Sequence, residues 1–208
     1  MPGTLRTRAP SLRVTDAAAL LALLWLAMLT VGTGSADDDI LRALYAGGHP
    51  ALVAIARGFT FLGEAAVLIG LAVAFALVLW RQGCGRYGLV VIAVTLVGRG
   101  LVEAQKYGIA RLRPVDEAHL VPVSTPSFPS GHSASSMIVY LTLALVLTSG
   151  TRWKWPAVAA ALVLSFCIGL SRVMLGVHWP SDVIGGWAFG LLWVVLALPL
   201  AERLAQRP

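Results

Sequence analysis

Residues 155–201 read WPAVAAALVLSFCIGLSRVMLGVHWPSDVIGGWAFGLLWVVLALPLA. Two apolar runs, Trp155–Ser171 and Val183–Ala201, are each long enough to cross a hydrocarbon core as a helix, which takes about 17–25 apolar residues. The joint between them holds Arg172, His178 and Asp182, all the charged or imidazole groups of the segment. Pro180 can open the second run at the first helical position, where its missing N–H costs nothing. The segment is a membrane hairpin with a polar tip.

Four more runs of the same kind lie upstream: Ala17–Gly34, Phe59–Trp80, Tyr87–Gln105 and Ser133–Gly150. Between Asp37 and Gly58 the pattern is weakly amphipathic, with a Gly47-Gly48-His49-Pro50 break, and suggests short helices lying in the membrane interface. His49 reads as an interfacial loop residue. The expected architecture is therefore an all-α, polytopic membrane bundle of about six transmembrane helices, forming a single domain over residues 1–208. Composition excludes the soluble alternative. With 58% hydrophobic and 12% charged residues and a mean hydropathy of +0.80, a soluble fold could not cover its own core. Cys84 and Cys167 are too isolated for a disulfide framework or a metal site.

A net charge of +6 is compatible with nucleic acid, but no basic stripe interleaved with aromatics exists, and position explains the cations better. Arg6, Arg8, Arg13, Arg81, Arg86, Arg152, Lys154, Arg203 and Arg207 flank alternate ends of the runs. They mark the cytoplasmic side by the positive-inside rule. The opposite side opens with Asp37, Asp38 and Asp39, and its cations are concentrated in residues 106–113 and at Arg172. Cations on the wrong side call for an anionic substrate. The first run, followed by Gly34-Ser35-Ala36, could be a cleaved signal peptide, but it exceeds the usual 7–15 apolar residues and is read as an uncleaved anchor.

Three polar clusters fall on that opposite face. The first runs from Arg99 and Glu103 to Lys106 and then Arg111-Leu112-Arg113-Pro114. Lys106 and Arg113 would share a face about 10 Å apart on a continuing helix, with Pro114 ending that helix near Arg113. Arg99 and Glu103, at i,i+4, read as a helix ion pair. Arg111 reads as solvated or touching lipid headgroups, and Glu64 as a structural or site-edge carboxylate. In the second cluster, Pro126-Ser127-Phe128-Pro129-Ser130-Gly131-His132, Ser130 can cap a helix and Gly131 admits close approach of a ligand. A helix start offers free N–H groups and partial positive charge to a phosphate. By itself this cluster fits an ordinary cap beside an interfacial histidine equally well. In the third, Ser171 to Asp182, the carboxylate of Asp182 can reach one nitrogen of His178 and leave the other as a free lone pair. That suits covalent catalysis, although a buried polar pair is the alternative.

Together the clusters resemble the type 2 phosphatidic acid phosphatase family, which also includes the vanadium haloperoxidases. Its pattern of Lys, six residues, Arg-Pro; then Pro-Ser-Gly-His; then Ser-Arg, five residues, His, three residues, Asp is met at Lys106–Pro114, Pro129–His132 and Ser171–Asp182 without departure. The resemblance implies a phosphatase in which Lys106, Arg113 and Arg172 bind the phosphoryl oxygens together with Ser130 and the backbone of Gly131. It makes His178 the nucleophile of a phosphohistidine, Asp182 its orienter and His132 the acid that protonates the leaving oxygen. No compact carboxylate or His/Glu cluster stands at metal spacing, so activity without a metal or other cofactor is expected. His119 reads as a surface residue. The expected substrate is a lipid phosphate or pyrophosphate, foremost undecaprenyl pyrophosphate, with phosphatidylglycerophosphate, phosphatidate and lipid A phosphates as alternatives. Vanadate should inhibit as a phosphate mimic. A phosphotransferase would share the chemistry, whereas a non-catalytic lipid-binding or transport protein would not need His132, His178 and Asp182 intact.

Overall fold

The computed structural model describes residues 13–205, and among these there are eight helices and no strand. They are α1 Val14–Val31, α2 Ser35–Leu44, α3 Pro50–Leu62, α4 Ala65–Arg81, α5 Gly85–Ile109, α6 Gly131–Leu147, α7 Lys154–Met174 and α8 Pro180–Ala205. Every expected run is helical, the second in two pieces, and the amphipathic stretch after the first run supplies α2 and most of α3. Arg6, Arg8 and Arg207 lie outside the described residues.

Helices α1, α5, α7 and α8 are long and apolar enough to cross a membrane singly. The expected second span, Phe59–Trp80, is broken: α3 and α4 meet at a 43° bend and pass the same test only as a pair. The cause is local. Gly63 sits where a Cβ would come 2.5 Å from Ile168 and 2.8 Å from His132, and Glu64 is extended as the N-cap of α4. Helix α6 has 17 residues, about 26 Å at 1.5 Å per residue. Four helices, or five spans when the bent pair counts as one, meet that test, and α6 stands beside them as a shorter apolar helix.

Helix α6 is the centre of the bundle. Ser133 to Val139 and Leu141 to Leu143 are all buried along it. One core joins Val90, Val94, Met137, Ile138, Leu141, Val194 and Leu198 across α5, α6 and α8. A second joins Leu68, Ala72, Leu79, Val91, Val139 and Leu143 across α4, α5 and α6. In contrast α1 buries no residue fully, and Leu20, Leu23 and Leu26 stand exposed. So many exposed large apolar side chains are at home in lipid rather than water. At the end opposite the polar clusters, Arg152 lies over Trp153 and Lys154 over Trp155, at 5.2 and 5.7 Å from the ring centroids. Exposed Trp80 lies at the same end. Aromatic and basic residues together are typical of a bilayer interface.

Candidate active site

The joints α5–α6 and α7–α8 interlock. The N–H of Ser130 donates to the carbonyl of Asp182 at 2.9 Å, and Leu120 N–H to Leu175 O at 3.1 Å. Trp179 Nε1 donates to Leu112 O at 3.0 Å. Residues distant in sequence are thereby held at one end of the bundle, around a cavity of about 560 Å³. Lys106, Arg113, Gly131, His132, Arg172 and His178 all line it. Ser130 and Asp182 are each 0% exposed and stand behind that wall.

Ser130 does cap α6, accepting from Ser133 N–H at 3.4 Å. Its hydroxyl is thus turned along the helix, while Gly131 presents the helix start to the cavity. A Cβ on residue 131 would lie 3.3 Å from Lys106 Cε, so glycine lets the lysine stand close over the N-terminal turn. Lys106, only 3% exposed, donates to Pro126 O at 2.7 Å. Arg113 does not share a helix with Lys106 as expected. Helix α5 ends at Ile109 and Ala110 turns into the left-handed region, with φ of 53°, redirecting the chain. Arg113 instead reaches in from the loop, held by Thr125 O at 2.7 Å and by Val177 O. Arg172, at the end of α7, donates to the hydroxyl of Thr60 on α3.

His178 is 2% exposed. Its Nδ1 stands 3.3 Å from Asp182 Oδ2 and 3.3 Å from Ser127 Oγ. Ser127 donates to the same carboxylate oxygen, so its lone pairs are left to accept. Both neighbours of Nδ1 are acceptors, which assigns the ring proton to Nδ1. Nε2 then carries the lone pair and meets Arg113 Nη1 at 3.2 Å. Burial, followed by the charges of Arg113, Lys106 and Arg172, holds the imidazole well below its usual pKa. A neutral, oriented imidazole with a free lone pair results. His132 Nε2 lies 3.5 Å from Glu64 Oε1 at the cavity rim, close enough for charge coupling but without hydrogen-bond geometry.

Two further expectations are corrected. Arg111 is neither solvated nor at the headgroups. Its side chain is 9% exposed and pairs with Asp182 Oδ1 at 2.9 Å. It also donates to Ser181 Oγ and to Met28 O and Leu29 O near the end of α1, and packs over the Phe128 ring. A buried carboxylate needs such a partner. Arg99 and Glu103 form no ion pair within 4.0 Å; Arg99 donates to Ser135 Oγ at 3.1 Å, and both line the cavity. Three contributors went unassigned in the sequence: Ser127, Thr60 and Asp37. Asp37 accepts from the N–H and hydroxyl of Ser181 and caps α8 from outside. Ser127 stood inside a quoted cluster, but Thr60 sits in an apolar run with nothing to distinguish it. His119 is exposed, as expected, and bonds Pro114 O at 2.8 Å. Exposed His49 is the N-cap residue of α3. Among the described residues no three His, Cys, Asp or Glu side chains gather to hold a metal ion.

A family model, the PAP2 superfamily, matches residues 83–205. Phosphatidylglycerophosphatase B of Bacillus subtilis (strain 168) is 34% identical over 184 residues, covering 86% of this chain and 90% of that protein. An undecaprenyl-diphosphatase of Sulfolobus acidocaldarius is 33% identical over 120 residues, 55% of each chain. In architecture the chain is similar to the crystal structure of the first transmembrane PAP2 type phosphatidylglycerolphosphate phosphatase from Bacillus subtilis. The TM-score is 0.78 at 31% identity, covering 94% of this chain and 98% of that one.

Proposed function

Since the chain belongs to the PAP2 superfamily and is an integral membrane phosphatase, we propose that it removes a terminal phosphate from a membrane lipid through a phosphohistidine on His178. The observation that carries this is the arrangement of His178: Nδ1 tied to Asp182 at 3.3 Å, with Nε2 turned to the cavity that Lys106, Arg113 and Arg172 share. In the first step Nε2 attacks phosphorus, a P–N bond forms and the bond to the leaving oxygen breaks. His132 gives that oxygen its proton. Lys106, Arg113, Arg172 and the N–H groups at the start of α6 neutralise the equatorial oxygens, the main demand of phosphoryl transfer. Arg113 first exchanges its contact with Nε2 for the substrate. In the second step a water, giving its proton to His132, attacks phosphorus and breaks the P–N bond to release inorganic phosphate.

By the positive-inside rule the basic flanks favour a cytoplasmic position for the opposite end of the bundle; in this reading the cavity faces outward, to the periplasmic side of a bacterial inner membrane. Undecaprenyl pyrophosphate suits that location, since a carrier lipid is dephosphorylated there. Phosphatidylglycerophosphate is favoured by a specific observation: the relative named for it covers 86% of this chain. The test is phosphate release by the purified protein from both lipids, phosphatidate and a lipid A phosphate. Wild type should release phosphate from at least one, and His178→Ala from none. Labelled substrate should leave an acid-labile phosphoprotein in a rapid quench. Full activity of His178→Ala would sink the proposal.

A further inference from the structure

Arg99 is a cation that the proposed chemistry does not use. It stands on α5 two helical turns before Lys106, on the same face and about 10 Å towards the membrane interior. Half-buried, it lines the same cavity as His178. Among the described residues its only hydrogen-bond partner is the hydroxyl of Ser135 at 3.1 Å, and no carboxylate oxygen lies within 4.0 Å of it. A guanidinium inside a membrane-spanning helix is costly unless it meets an opposite charge. Here the open side is a cavity.

Its position can be read along α6. Lys106 stands beside Gly131, and Arg99 is fastened to Ser135, four residues on. The two cations therefore address points about one helical turn, roughly 6 Å, apart. Two phosphoryl groups sharing one bridging oxygen are closer together than that. Between Arg99 and Lys106 on the same cavity wall stands Glu103. A carboxylate there repels a phosphoryl group but can accept a hydrogen bond from a hydroxyl.

We propose that Arg99 holds a second phosphoryl group, on the tail side of the scissile one, and that Glu103 accepts from a hydroxyl on the linker between them. The substrate class is then a lipid whose terminal phosphomonoester is joined through a short hydroxylated linker to an internal phosphodiester, as in phosphatidylglycerophosphate. This rests on the lipid phosphatase reading and specifies its substrate.

The experiment measures kcat/KM on phosphatidylglycerophosphate, undecaprenyl pyrophosphate and phosphatidate for wild type, Arg99→Gln and Glu103→Gln. Arg99→Gln should lower the ratio of phosphatidylglycerophosphate to phosphatidate by about tenfold or more, the scale of a lost charge-assisted contact. Glu103→Gln should lower it less. An unmoved ratio, an equal loss on all three lipids, or a loss confined to the pyrophosphate overturns the inference. If wild type acts on none of the three lipids, the phosphatase reading fails instead. A second measurement needs no variant: as inhibitors of wild type on its best lipid, glycerol 1,3-bisphosphate should bind about tenfold more tightly than glycerol 1-phosphate. Equal inhibition overturns the inference even if Arg99→Gln does not fold.

Discussion

At the scale of single residues, the proposed mechanism makes the protonation of His178 set the working range. In it only the neutral ring attacks, and the buried, cation-surrounded imidazole is held well below its usual pKa of 6.5. Acid must therefore go further to silence it than to protonate a free histidine. The acid limb of kcat/KM should fall below pH 6.5, measured on the free enzyme with a short-chain lipid; a limb at or above that value contradicts the geometry. Arg111 enters through Asp182. Its charge offsets the carboxylate, so Arg111→Gln should let Asp182 favour the imidazolium more strongly and shift the acid limb upward. A fall in kcat of at least about tenfold, equal to about 1.4 kcal/mol, should accompany it, with KM little changed. A merely structural loss would lower activity without moving the limb. The cavity residues were legible because each stands at a fixed spacing in a short polar cluster. Arg111 was not, since nothing in its local sequence tells a buried ion pair with a carboxylate 71 positions away from a solvated charge.

At the scale of elements, the site depends on how closely α8 approaches α6. Gly186 and Gly190 lie one turn apart on α8. A Cβ at Gly186 would come 2.8 Å from Ser130 O, and one at Gly190 would come 2.7 Å from Ala134 O. Small residues four apart let membrane helices bring their backbones together. Gly190→Ala should cost about 1–3 kcal/mol by overpacking, read as a lowered Tm in detergent. Gly70→Ala on α4, where a Cβ meets nothing within 4 Å, should leave Tm unchanged or raise it slightly. Equal Tm values for the two variants would refute the close-packed pair. Helix existence was legible from apolar run length. The break between α3 and α4 was not: Gly63-Glu64 stands inside the run, but the close approach of Ile168 and His132 to Gly63 comes from elements distant in sequence.

At the scale of the whole molecule, orientation is open to a direct check. Cys84 is exposed at the turn between α4 and α5, at the end remote from the cavity. In a Cys167→Ser background, a membrane-impermeant maleimide should label it only after spheroplasts are opened. Labelling of intact spheroplasts would reverse the assigned topology. Purified protein should also keep its activity in EDTA and lose it to vanadate; loss in EDTA restored by Mg²⁺ would refute a mechanism resting on side-chain and backbone charge alone. Overall class was legible from hydropathy and the placement of arginines. The shortness of α6 was not, since a helix shielded by its neighbours need not meet the length that a lipid-facing helix must.

That shielding separates two kinds of sensitivity. The helix that presents Gly131 and His132 is seated on α4, α5, α7 and α8 rather than on acyl chains, so stretching or thinning the surrounding bilayer acts on the outer ring and reaches the reacting groups weakly. Turnover of a water-soluble phosphate ester should then be nearly the same in short-chain and long-chain nanodiscs, while turnover of a long-tailed lipid should vary with the thickness it must leave.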